Sequence, residues 1–370
     1  GAAQANATAG HALDFDDTLD EGGGMHAGTA VHSAALAIAD ELGGVTGLEY
    51  ASAVAVGLDV AVRLALAPSE DFGWHRTSAF GVFGVTVAVG RLLRLTETQF
   101  ANALGIAYSQ ASGNRQCIPD GALSKRLQAG FAARDGITAA LLAREGLTGA
   151  SNAFEGRDGF FNLYQRGKYR REVVLDGLGE ELLSPRISLK PYPCGRNLHA
   201  LIDAALAARS AGDPSEVTAI RVGLSGGAAE RANRAYPGHV VEAQFSVPFA
   251  AALAVASGNA PIRDFDQPGQ APDAVKALFD RVQIFERTGE GVEVEVRYRD
   301  GRSVLEKRTV ARGNPANPLS GDDIQRKAAD CNSFAGTPLS PESLSQTIAM
   351  ALDIRNLRST SELTERLSGK

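Results

Sequence analysis

The sequence has 370 residues, 44% of them apolar and only 6% aromatic, with a formal net charge of −6 at neutral pH. That length and apolar content can bury a large core and point to two domains, while the negative balance argues against a nucleic-acid groove or a polybasic membrane anchor. No apolar run reaches the ~18 residues of a membrane span and nothing resembles a secretion signal.

The first informative stretch runs from His11 to His26 and packs Asp14, Asp16, Asp17, Asp20, Glu21 and Thr18 ahead of three glycines. Such acids often serve as caps, and Asp17 or Thr18 is placed to cap a helix. Leu13 to Leu19 also looks like the aspartyl-nucleophile motif of haloacid-dehalogenase-type phosphatases, but that motif needs a buried apolar strand just before it. Ala7 to Ala12 are too small and too poor in β-branched residues to supply one.

Ala27 to Leu42 reads as a helix, with Val31, Ala35, Ile38 and Leu42 at helical spacing and Gly43-Gly44 as its stop. His26 then stands at a helix entrance, where unbonded N–H groups and the positive dipole end can receive an anion and disfavour a protonated imidazole. Residues 48 to 66 continue the helical pattern until Ala67-Pro68-Ser69 breaks it. The valine-rich segment from Ala79 to Val89 resembles a buried strand, yet its length and the Gly81/Gly84 spacing favour a packed helix capped by Thr77 or Ser78, with His75 just ahead of it. After a helix around Glu97 to Ser109, a further one is expected from Asp120 to Arg144. There Lys125 would project among Ala122, Ala129 and Ala133, and either snorkels at a helix edge or finds a carboxylate.

The pattern changes near Leu183-Ser184-Pro185. Leu189 to Gly195 is extended by its prolines and leads into a helix from Arg196 to Ala208 that carries His199. Val217 to Leu224 and Arg281 to Glu286 read as strands, and Val292 to Arg299 pairs with Ser303 to Ala311 across Asp300-Gly301; Phe245 to Ala256 is helical. Beyond Gly313 to Pro318, helices return at Leu319 to Cys331 and Pro341 to Leu352. The expected fold is mainly α: a large all-helical domain built from both chain ends, 1–186 and 319–370, with an inserted smaller α+β lid domain, 187–318. Cys117, Cys194 and Cys331 are far apart and show none of the close spacings of a zinc ribbon, a disulfide framework or an iron–sulfur cluster, which fits a cytoplasmic protein.

Taken together the motifs resemble the MmgE/PrpD family, which includes 2-methylcitrate dehydratase, cis-aconitate decarboxylase and iminodisuccinate epimerase. The likeness runs from Gly10 to Thr18 through His26, Gly73-Trp74-His75, Ala103 to Gly113, Asp120 to Leu127 and Lys190 to Cys194, to Glu242 to Ser246. It implies a large helical domain with an α+β lid, a homodimer, and no metal or cofactor. It also implies further helices ahead of the first motif. Three features depart from the family pattern: glycines lengthen the interval from Thr18 to His26, the usual His-Pro is replaced by His26-Ala27 and His75-Arg76, and Phe249 stands where some members carry a lid tyrosine.

The resemblance implies a site of Asp14, His26, His75 and Lys125 as catalytic residues, with Thr18, Lys190 and His199 contacting the substrate. Family substrates are small polycarboxylates, and removing a proton beside a carboxylate needs a base together with cations that take up the developing charge. His26 and His75 would supply acid and base, Lys125 and Lys190 the charge partners, and Asp14 a base or a group that orients a histidine. The expected activity is a metal-independent lyase dehydrating a 2-methylcitrate-like hydroxy-tricarboxylate; the alternatives are epimerisation of an iminodisuccinate-like dicarboxylate and decarboxylation of cis-aconitate. The whole expectation requires His26, His75 and Lys125 to gather around one small acid.

Overall fold

The computed structural model describes residues 1–209, 213–231 and 235–368. It is mainly helical, with a small mixed four-stranded sheet in the C-terminal region. The chain divides into two compact units. One comprises Gly1–Ala12, Asp16–Ser188 and the chain from Gln325 onward; the other comprises Leu13–Phe15 and Leu189–Ile324.

The first unit opens with helix α1, Ala2–Ala12, whose buried residues Ala3, Ala7 and His11 recur every four positions. A helix rather than a strand therefore precedes the acidic stretch, and the phosphatase-like reading loses the context it required. Strand β1, Asp17–Leu19, follows and pairs with β2, Ile187–Leu189, so this unit is not wholly helical. Helix α2, Ala27–Leu42, and helix α3, Gly47–Leu66, come next. Helix α3 begins at a capping box in which the Thr46 hydroxyl accepts from the Glu49 N–H and the Glu49 carboxylate accepts from the Thr46 N–H.

The valine-rich segment is a helix, as its glycine spacing suggests, but it is reached in two steps. His75, not Thr77 or Ser78, is the N-cap of the short helix α4, Arg76–Ala79, and Phe80 joins it to α5, Gly81–Leu92. Every residue from Gly81 to Gly90 is buried, which explains the strand-like composition: α5 is wrapped by α2, by α3 and by two later helices, α6, Glu97–Tyr108, and α7, Ser124–Arg144. Small residues make the wrapping possible. A Cβ on Gly57 of α3 would lie 2.6 Å from the Gly84 carbonyl oxygen of α5, and one on Gly84 would lie 2.6 Å from the Gly57 oxygen, so the two backbones touch where only glycine fits.

Helix α7 starts four residues later than its sequence pattern predicts. Gly121 takes a left-handed φ of 64°, and the Ala122 N–H bonds back to the Cys117 oxygen at 2.8 Å, closing a turn. The C-terminal helices Gly321–Ser333, Pro341–Leu352 and Ser361–Leu367 complete the chain. Backbone bonds from Gly47 N–H to Leu357 and from Thr360 N–H to Val45 tie this end to the start of α3.

In the second unit, β3, Val217–Leu224, lies parallel to β4, Val282–Glu286, and antiparallel to β5, Val292–Tyr298, which pairs with β6, Ser303–Arg308, giving the order β4-β3-β5-β6. Ile220 and Val222 face Val296 and Val294 in register, all four buried on one side of the sheet. Helices His199–Arg209, Val247–Ser257 and Asp273–Phe279 share that core through Leu201, Ile202, Phe249, Leu253 and Val275. Ser246 caps the second of these, its hydroxyl accepting from the Phe249 N–H, so the helix starts two residues after Phe245. Among the described residues no helix is long and apolar enough to cross a membrane.

Candidate active site

The first unit brings His26, His75 and Lys125 together around a residue the sequence reading passed over, His11. Its Nε2 lies 3.2 Å from the Lys125 Nζ and its Nδ1 2.8 Å from Asp16 Oδ2. An ammonium only donates, so Nε2 accepts and the ring proton sits on Nδ1, donated to Asp16. The His26 ring is centred 4.6 Å from that of His11, and the His75 ring 5.9 Å. The resulting row runs carboxylate, imidazole, ammonium, with two further imidazoles against its middle.

His26 is fixed from both sides. Its backbone N–H donates to the Thr77 hydroxyl at 3.0 Å, and its Nδ1 lies 2.6 Å from the Asp17 carbonyl oxygen and 3.1 Å from Asp16 Oδ1. A carbonyl oxygen only accepts, which keeps a proton on Nδ1 and turns the ring so that Nε2 is the nitrogen not engaged by these oxygens. The acids around it each have an assigned task. Asp16 Oδ2 also accepts from the Thr29 hydroxyl at 2.8 Å, and Asp17 Oδ2 accepts from the Gly28 N–H at 2.8 Å. The anion received at the entrance of α2 is thus the protein's own Asp17, which acts as the helix cap; Thr18 is buried in β1. Asp20 accepts from the Ser188 hydroxyl, and Glu21 pairs with Arg186 at the surface.

Burial and charge set the protonation states. Burial, with help from Lys125 and His26 and against the pull of Asp16, lowers the His11 pKa to about 4, so this ring is neutral at pH 7. Burial pushes Asp16 upward, but the neighbouring His11 and His26 outweigh it and hold the carboxyl well below the usual range. Asp17 is raised, first by burial and then by the negative charge of Asp16, against the Gly28 amide. His75, also buried, caps α4 and donates its N–H to the Gly113 oxygen at 3.2 Å.

Donor atoms of His11, Asp16 and His26 lie within 4.8 Å of one another, the crowding a metal ion would exploit. The bonding fits proton transfer better. Both Nδ1 atoms carry hydrogens aimed at oxygen acceptors, and an ammonium already abuts the remaining nitrogen of His11.

The second unit holds Asp14, Lys190 and His199, all buried. Asp14 adopts a left-handed φ of 49°, and the Lys190 Nζ donates to its carbonyl at 2.7 Å and its carboxylate at 2.5 Å. Gln244 donates to the Leu13 oxygen at 2.8 Å and the Pro193 oxygen at 3.2 Å, so Leu13–Phe15 is clasped at two points. His199 Nε2 faces the Cys194 carbonyl at 3.3 Å and its Nδ1 faces the Arg196 guanidinium at 3.4 Å. Burial, together with Lys190 and Arg196, holds its pKa well below the ordinary value, so this ring is neutral too. Phe249 is wholly buried, its ring edge-on to Tyr236 and Phe265.

His11 and Asp16 are the site residues that sequence reasoning missed. One signal was available: Ala3, Ala7 and His11 form a row at i, i+4 and i+8, which places a histidine at the end of a buried helix face.

Residues 1–172 match the MmgE/PrpD N-terminal domain and residues 192–344 the MmgE/PrpD C-terminal domain. The chain is 27% identical to the cis-aconitate decarboxylase-like protein oryM of Aspergillus oryzae over 357 residues, covering 88% of this chain and 72% of the relative. It is 29% identical to the cis-aconitate decarboxylase of Aspergillus terreus over 217 residues, 55% of this chain and 44% of that protein. Against the human cis-aconitate decarboxylase it is 26% identical over 389 aligned positions, 100% of this chain and 79% of the relative. The chain belongs to the MmgE/PrpD family.

Proposed function

We propose that the chain is a lyase that decarboxylates a small unsaturated polycarboxylate of the cis-aconitate type. The observation that carries the proposal is the row Asp16, His11, Lys125 with His26 beside it: a cation and a proton donor held at fixed spacing. Dehydration of a 2-methylcitrate-like acid and epimerisation of an iminodisuccinate-like one would call on the same groups. Decarboxylation is favoured because two of the relatives named above are cis-aconitate decarboxylases and the third is described as like one.

Loss of carbon dioxide breaks one carbon–carbon bond and leaves its electron pair conjugated with the alkene and the remaining carboxylates. One proton must then be placed on carbon, so each turnover consumes a proton and releases one CO2. Lys125 is suited to hold a substrate carboxylate and take up developing charge. His11, neutral and backed by Asp16, keeps that ammonium in place. His26 is suited to deliver the proton from Nε2, since its Nδ1 is committed to oxygen acceptors, and His75 is its counterpart. For Asp14, Thr18, Lys190 and His199 the proposal keeps the roles implied by the family resemblance, as it does for a homodimer.

Incubation with cis-aconitate in deuterated water should release CO2 and place one deuterium on product carbon. Lys125→Ala should lower kcat/KM by about a hundredfold or more. Alkene formed from 2-methylcitrate without CO2 would replace this reading with dehydration, and no turnover of any polycarboxylate would end it.

A further inference from the structure

His75 and Lys125 lie on separate elements, the entrance of α4 and the first turn of α7, so their spacing must be set by something that joins the two. Residues 113–117 lie between them. On one side this loop runs antiparallel to residues 73–75: the His75 N–H donates to the Gly113 oxygen at 3.2 Å, the Arg115 N–H donates to the Gly73 oxygen at 3.1 Å, and Trp74 and Asn114 form an isolated β-bridge. On the other side it is gripped by one side chain of α7, Gln128, which is buried three residues beyond Lys125 and so on the same helix face.

The grip uses both ends of the carboxamide. Gln128 Oε1 accepts from the Asn114 N–H at 3.0 Å, and Nε2 donates to the Asn114 carbonyl at 3.0 Å and to the Cys117 sulfur at 3.4 Å. The side chain therefore meets Asn114 as a second peptide group would, satisfying its N–H and its C=O together. Loop and helix are in close contact: Gly113 has a φ of 115°, and a Cβ there would lie 2.6 Å from Gln128 Oε1 and 2.8 Å from the Ser78 Cβ. A cavity of about 480 Å³ opens beside this junction, lined in part by Gly113, Asn114, Ser124 and Gln128.

We infer that Gln128 is a positioning residue: through the 113–117 loop it holds the backbone of His75 in register with Lys125. It acts on the two site residues without being one of them. The inference rests on the proposed decarboxylation for its kinetic consequence, although the clamp itself is readable without substrate.

The test compares the full chain with Gln128→Ala and Gln128→Glu. The first variant removes all three bonds; the second keeps the acceptor for the Asn114 N–H and loses the two donors. Amide hydrogen exchange at His75 and residues 113–117 should accelerate roughly tenfold or more in Gln128→Ala and by less in Gln128→Glu. With cis-aconitate, kcat should fall about 10- to 100-fold in Gln128→Ala with KM within about threefold, and Gln128→Glu should lie between it and the parent. Parental exchange rates in Gln128→Ala would overturn the inference, as would a loosened loop with unchanged kcat. A parent protein that turns over no polycarboxylate would remove the functional reading alone. Exchange at the His75 amide would then decide whether Gln128 sets its position.

Discussion

The cluster around His11 and the pair formed by Lys190 with Asp14 both bury charge, but they do it differently. In the first, a neutral imidazole stands between a carboxylate and an ammonium, and each bond has a nitrogen or oxygen that can exchange its proton. In the second, the ammonium is fully enclosed and donates to both the carbonyl and the carboxylate of one residue. In the first, burial and the neighbouring ammonium oppose a second positive charge on the imidazole, whereas the second loses its compensation as soon as either partner is neutralised. A buried cation therefore does not reveal its role by burial alone; the number and kind of its acceptors do.

Substitutions can widen or collapse that contrast. The largest effect is expected for Lys190→Met, which leaves the Asp14 carboxylate buried without its partner and should cost about 3–5 kcal/mol in urea denaturation. A loss below about 1 kcal/mol would show that the pair carries no such role. Next comes the acid side of the stability curve. His11 has a pKa of about 4 in the folded chain against 6.5 ordinarily, so as pH falls the unfolded chain takes up the proton first. Its contribution is fully present above pH 6.5 and is lost on the way down to about 4, a change on the order of 3 kcal/mol. His11→Asn should flatten that slope when denaturation at pH 7 and pH 4.5 is compared, and an unchanged slope would assign the acid sensitivity elsewhere. The smallest effect is expected for Arg186→Ala, which removes the half-exposed pair with Glu21 and should change stability by less than about 1 kcal/mol. It serves as the surface reference against which the two buried systems are measured.

Much of this was legible because local rules and packing agree. The helix Ala27–Leu42 has the bounds its periodicity and its Gly43-Gly44 stop announce, and β3 and the β5–β6 hairpin follow from alternation and the Asp300-Gly301 turn. What stayed hidden depends on partners distant in the chain. Lys125 lies 114 residues from His11, so no spacing rule joins them. The three residues of β1 form a strand through pairing with β2, not by propensity. The late start of α7 turns on one left-handed glycine at 121. The acids of the opening stretch looked alike in sequence, yet Asp16, Asp17 and Asp20 serve a histidine, a helix entrance and a serine in turn.

The backbone of Asp14 decides which replacement can interrogate its side chain. At a φ of 49° an ordinary L-residue is strained, whereas asparagine, aspartate and glycine are tolerated. Alanine at this position would mix a backbone penalty with the loss of charge. Asparagine keeps the local shape and takes away the carboxylate alone, so the pair Asp14→Asn and Asp14→Ala separates what this residue does by geometry from what it does by chemistry.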